Sequence, residues 1–172
     1  MASELTVQTL RGPTSGANAD TVLIPSGQTL HAPGHVVQCI SDDDARGWTS
    51  TTATSLVATG ISLSITPKFA NSVILVDFHF PMVHVPTTGS SLVAAIYRNG
   101  TNLGLSGYPQ GFIHNSNGAP QYPSVKIECR DTSHNSTSAL TYEVYFRTTS
   151  GDNVHLTHNG SDTHLKLWEI AQ

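Results

Sequence analysis

The sequence predicts an all-β protein, an antiparallel sandwich or barrel. Three observations carry this reading. Short runs rich in β-branched and aromatic residues recur along the 172 residues. Gly- and Pro-bearing turn signals separate them, and no stretch shows the 3.6-residue apolar spacing of a long amphipathic helix. Within the runs apolar and polar residues alternate, as an antiparallel sheet with one buried face requires.

Residues 1–19, "MASELTVQTLRGPTSGANA", hold one short alternating stretch and then Gly, Pro and Ser. They read as an N-terminal arm or linker, and residues 20–172 as the β domain. Strands are expected at "TVLI" (21–24), "HVVQCI" (35–40), "SVILVDFHF" (72–80), "SLVAAIYRNG" (91–100), "SVKIEC" (124–129), "LTYEVYFRT" (140–148) and "HLKLWEI" (164–170). Turns are expected at "IPSGQ", "APGH", "TPKFANS", "VPTTGSS", "RNGTN", "SGYPQG", "NSNGAP", "SGDN" and "HNGSD". In "LTYEVYFRT", Tyr142, Val144 and Phe146 share one face, and Thr141, Glu143, Tyr145 and Arg147 the other. "SVILVDFHF" is apolar on both parities at first, which suits a strand covered on both sides or one at a subunit contact.

Composition narrows the function. Charged residues make up 12% of the chain, about half of the roughly 25% usual in soluble domains, and Ser, Thr, Asn and Gly replace them. Such an exterior suits contact with sugar or with other protein. Eight Lys plus Arg and a net charge of −4 leave no basic stripe for a phosphate backbone, so nucleic acid is not expected as a partner. No apolar run is long enough for a membrane span, and the N-terminus lacks the charged-then-apolar pattern of a signal peptide. Cys39 and Cys129 lie far apart without CxxC spacing and read as small buried residues, with a single bridge left open. The sequons at Asn99, Asn135 and Asn159 read as turn residues in a chain rich in Asn, Ser and Thr.

Histidine crowds the C-terminal stretch "NVHLTHNGSDTHLKLWEIAQ" (153–172). Asn159-Gly160 is a strong type I′ hairpin signal. A hairpin about it places Val154, Leu156, Leu165 and Leu167 on a core face. It sets His155 opposite His164 on the other face, with Cβ atoms about 5 Å apart. Two imidazoles are one ligand short of a catalytic metal site, and Asp162 falls on the opposite parity. The expectation is a polar or interfacial pair and no metal. Trp168 and Ile170 share the histidines' face, so that face is expected to be covered, most simply by another subunit. Protonation of a histidine pair there would weaken the contact in acid.

The remaining histidines, His31, His35, His79, His84, His114 and His134, lack the helical spacing of a zinc motif and read as surface or satisfied residues. "SDDDARGW" (41–48) neither alternates its acids nor continues to a distant Glu, so it reads as a solvated loop rather than a calcium site. GxSxG and Walker patterns are absent. No catalytic residue and no cofactor is expected, and the protein reads as a non-enzyme.

Four stretches line up with a known group. "ADTVLIPSGQTLHAPGHVVQ" (19–38), "ISLSITPKFANSVILVDF" (61–78), "AAIYRNGTNLG" (94–104) and "TYEVYFRTTSGDNVHLTHNGSDTHLKLWEI" (141–170) resemble, in order and spacing, segments of small virion surface proteins of tailed bacteriophages. The resemblance implies a jelly roll of the C1q and tumour-necrosis-factor type that assembles as a homotrimer, serving as a capsid decoration (cement) protein or as a tail-fibre tip. Fibre proteins usually carry a long shaft before the tip. The short stretch preceding the first strand here favours decoration of the virion's capsid surface, with the major capsid protein as partner and residues 1–19 as an anchoring arm. Trp168, Ile170, Phe78, Phe80, His155 and His164 are the expected subunit-interface residues. In the alternative, a tip that binds a host surface glycan or receptor, Trp48, Tyr108 and Tyr122 in polar loops would stack on sugar rings.

Overall fold

The computed structural model describes residues 11–17, 19, 21–44, 48–104 and 109–172. The chain divides into two units, Met1–His31 and Ala32–Gln172. In the first unit the described residues form no strand. "TVLI" was expected as a strand, but Val22, Leu23 and Ile24 are exposed and have no ladder partner. Their β-propensity finds no neighbour to pair with, and propensity without pairing does not make a strand.

The described residues of the second unit form eleven strands: β1 (Val36–Asp44), β2 (Thr49–Thr51), β3 (Val57–Ile65), β4 (Val73–Phe80), β5 (Ser91–Arg98), β6 (Thr101–Asn102), β7 (Gly111–His114), β8 (Val125–Asp131), β9 (Leu140–Thr148), β10 (Val154–Thr157) and β11 (Thr163–Ile170). One sheet runs β1-β11-β4-β8. A second runs β3-β9-β5-β6, with β7 also on β5, and β10 pairs with β2. The long antiparallel pairs are nested: β1 with β11, β3 with β9, β4 with β8 and β5 with β7. A long ribbon folded at its middle and wrapped on itself gives this order. It is the jelly-roll pattern, two sheets face to face.

Period-2 alternation explains the core between the sheets. From the first sheet come Ile74, Val76, Phe78, Phe80, Ile127, Leu165 and Leu167; from the second, Ile61, Ile65, Leu92, Ala94, Ile96, Tyr142, Val144 and Phe146. All are essentially excluded from solvent. Truncating Phe78 to Ala at the centre of such a core costs about 3–5 kcal/mol. The structure thus corrects one expectation. Phe78 and Phe80 lie on the inner parity of β4 at 0% exposure, in the chain's own core, and have no surface left for a partner. The outer parity of that strand carries Leu75, Asp77 and His79 instead.

Two further readings change. Asp42 and Asp43 continue β1 rather than forming a loop, paired with Leu165 and His164. Cys39 is exposed and Cys129 half-buried, and both are free; Cys39 stands opposite Trp168 on the outer parity. The three Asn-Gly and Asn-Ser turn readings hold, while the turn expected at "SGYPQG" lies partly outside the described residues. Asn99, Asn135 and Asn159 are the non-glycine residues with positive φ among the described residues, so the three sequons mark left-handed turn positions.

Candidate functional site

Asn159 and Gly160 both take positive φ (60° and 69°), and Ser161 N donates to His158 O at 3.2 Å. The type I′ turn therefore forms as expected, but its two arms part. β10 turns to β2, while β11 runs between β1 and β4. The expected His155–His164 pair does not exist. The tight turn fixes the local reversal; each arm then finds a better partner in a different sheet.

His164 faces the outside of the first sheet. Its neighbours across the ladder are Asp43 and His79. Its Nδ1 lies 2.8 Å from Asp43 Oδ1, and its ring stacks on His79 with centroids 5.9 Å apart.

His155 goes elsewhere. It exchanges two backbone hydrogen bonds with His84, at 2.9 and 3.0 Å. On its other edge it pairs with Ser50, next but one to Trp48. Val85, beside His84, makes the same two-way exchange with Gln121, at 3.0 Å each, and so brings in Tyr122. A short ladder thus gathers five rings from four separate segments. His84 lies 4.9 Å from His155 and 5.0 Å from His158, centroid to centroid. Trp48 stands edge-on to His155 at 4.8 Å and tilted over His158 at 4.3 Å. Tyr122 stacks on His84 at 5.0 Å and approaches His158 at 5.0 Å. Met82, Tyr122, His158 and Asn159 line a cleft of about 350 Å³ beside them.

The electrostatics are unusual for so many bases. Burial, and then the positive charge that His84 and His158 would carry, pushes the His155 imidazole down to about 4. Burial, then His158, lowers His84. His155 is therefore neutral at pH 7, the form in which a ring nitrogen coordinates a metal. The Nδ1 atoms of His84, His155 and His158 are buried without a hydrogen-bond partner.

Of the expected ligand-facing aromatics, Trp48 (60% exposed) and Tyr122 (50% exposed) both lie against His158, and Tyr122 lines the cleft; Tyr108 lies outside the described residues. Reading the sequence missed His84 and His158 as their companions. No local signal joins them, because His84 and His158 lie far along the chain from both aromatics.

A second surface lies on the outside of the first sheet. Ladder register divides that face into two halves. Rows Asp43–His164–His79–Lys126 and Ser41–Lys166–Asp77–Glu128 are polar. The next rows hold Cys39, Trp168, Leu75 and Arg130, then Val36, Ile170 and Val73. Trp168 and Ile170 thus lie on the outer face with His164, half-buried, while Leu75 and Val36 are 38% and 40% exposed. These four, with Asp77, Glu128 and Arg130, line a groove of about 490 Å³. His155 belongs to the ring cluster and not to this face.

No family model and no curated protein matches the sequence. Among solved structures, the chain is similar to the infectious bursal disease virus VP2 subviral particle, with a TM-score of 0.36 at 13% identity, over 93% of this chain and 46% of that one. It is also similar to the structures of that virus's Gx strain (0.36, 12%, 95% and 47%) and Gt strain (0.33, 14%, 99% and 47%). The chain spans about half the length of these structures. Its functional reading rests on its own residues.

Proposed function

We propose that the protein is a non-enzymatic structural component of a virion, a homotrimer that decorates and stabilises a capsid surface. The observation that supports this is the apolar half of the first sheet's outer face, where Val36, Leu75, Trp168 and Ile170 are adjacent across the ladder. A sandwich working alone needs one buried face per sheet, and an apolar second face marks an interaction surface. Threefold association through this face would remove it from water, and stable assemblies bury roughly 1,200–2,000 Å² per interface. The low charge of the exterior and the phage-like segments agree with a virion setting.

Light scattering on the purified chain tests the association. The expected result is a trimer at micromolar concentration, reduced to monomer by Leu75→Asp, which places a charge on an already exposed position and spares the core. A wild-type monomer at tens of micromolar would end the proposal. Copy number in purified particles then separates decoration, which is abundant, from a tip, which is scarce.

The tip reading keeps one specific support. Trp48 and Tyr122 are exposed aromatics gathered around His158, a suitable arrangement for stacking on sugar rings. Binding to host cells that Trp48→Ala abolishes would favour it.

A further inference from the structure

We propose that His84, His155 and His158 form a binding site for a divalent transition metal, Zn²⁺ or an ion of its class. This inference goes beyond the assembly role and does not depend on it. One ring nitrogen from each residue lies within 4.8 Å of one from each of the other two. Around a tetrahedral ion with bonds of about 2.0–2.1 Å, ligand nitrogens stand roughly 3.3 Å apart, so small ring rotations close the gap. The backbone is already set for this. The two-way hydrogen bonding of His84 with His155 fixes two ligands from distant segments at one ladder position. His158 follows three residues later, on the edge of the Asn159-Gly160 turn.

The hydrogen-bond inventory points the same way. Five buried side-chain polar atoms lack a partner among the described residues, and three of them are the Nδ1 atoms of His84, His155 and His158. Orphaned buried polar atoms are rare and costly, and three on one trio call for a shared partner. A cation accepting nitrogen lone pairs would serve all three at once. The donor set selects the ion: imidazole suits Zn²⁺, Ni²⁺ and Cu²⁺, whereas Mg²⁺ and Ca²⁺ take oxygen ligands. Three protein ligands leave a position for water or for a donor from a bound partner. Trp48, edge-on to His155 and tilted over His158, and Tyr122, stacked on His84, would limit ring movement as outer-shell groups do. The effect would be to pin β10 and the turn after it to the His84 segment.

The test uses the full chain, free of any affinity tag and stripped with a chelator. ZnCl₂ is titrated calorimetrically, and bound zinc is counted after dialysis. The expected result is one zinc per chain, bound more tightly than about 100 μM. The melting temperature should rise by about 5–10 °C at a hundredfold excess over Kd. His155 is buried inside β10, so its replacement would probe folding as well as binding. His84→Asn and His158→Asn keep the test on the site. Each should weaken zinc at least about 100-fold, more than loss of an outer-shell group does, with the metal-free melt near wild type. His164→Asn, on the exposed pair, should leave zinc binding unchanged. The proposal is overturned by wild-type binding weaker than about 100 μM, by tight binding that survives His84→Asn combined with His158→Asn, or by binding lost in His164→Asn.

Discussion

Two of the buried polar clusters among the described residues are satisfied in opposite ways. Asp131, 3% exposed at the end of β8, accepts from Arg98 Nη1 at 2.8 and 2.7 Å, from the Tyr142 hydroxyl at 2.8 Å and from Ser133 N at 3.0 Å. Burial raises its carboxyl, but these donors outweigh that and hold it below the usual carboxylate range. His155, 5% exposed, has an orphaned Nδ1, and burial drives it toward the neutral form. The first cluster is complete within the chain and acts as a brace between the sheets, since Asp131 belongs to β8 while Arg98 and Tyr142 belong to β5 and β9. The second is incomplete among the described residues, the property on which the proposed metal site rests.

The largest effect should come from breaking the complete cluster. Asp131→Ala leaves Arg98 without its counter-ion and Tyr142 without its acceptor. Removing one partner of a buried pair costs about 3–5 kcal/mol. Arg98 keeps some contact with water, its side chain being 18% exposed, so the lower end, about 3 kcal/mol, is expected. Urea unfolding at pH 7.5 measures it. A loss under about 1 kcal/mol would remove the contrast, because the network would then be decorative.

Acid should expose the incomplete cluster next. In metal-free protein, His155 titrates near 4 when folded and near its ordinary 6.5 when unfolded. Between those values the unfolded chain holds the extra proton. Stability is therefore full above about pH 6.5 and falls as the pH drops toward 4, by on the order of 2 kcal/mol at the lower end. His84, also lowered, adds in the same direction. The carboxylates act later. Asp131 and Glu169, both depressed, withdraw their contributions only as the pH falls through and below their ordinary values of 3.8 and 4.5. Urea midpoints between pH 7.5 and 4.5 should slope downward in wild type and flatten in His155→Gln. A flat wild-type profile would mean that the cluster is solvated.

The two clusters also differ in how far the sequence discloses them. Strands with plain alternation are legible: β9 and β11 bury the residues that their parity assigns, Tyr142, Val144 and Phe146 in one, Leu165 and Leu167 in the other. β3 is harder to see because "VATGISLSI" is broken by Gly60 (φ 72°) and a register shift between Ala58 and Ser62, which interrupts the period. β2, β6 and β7, of three, two and four residues, are too short to show one. The histidine cluster is the hardest of all. The turn at Asn159-Gly160 is written locally, but whether its arms pair with each other or with distant strands is a question of loop closure and competing partners. The isolated His84–His155 bridge, which makes the site, joins segments that no local pattern connects. Trp48 and Tyr122 were noticeable as aromatics in polar loops, but their meeting was not.

The smallest effect should come from the exposed histidine, the third case against which both clusters are measured. His164 and Asp43 have side chains 46% and 73% exposed. A pair so well hydrated gains little, because water screens the attraction and ordering two side chains offsets most of the rest. His164→Asn should change the unfolding free energy of isolated monomer by under about 0.5 kcal/mol. In the proposed assembly the same substitution asks a different question. His164 shares its outer face with Trp168 and Ile170. If association extends across the polar half of that face, the pair loses its water and the interaction strengthens as the local dielectric falls. An effect that stays small in the assembly would confine the contact to the apolar rows. One that grows beyond about 1 kcal/mol with protein concentration would extend it to Asp43 and His164.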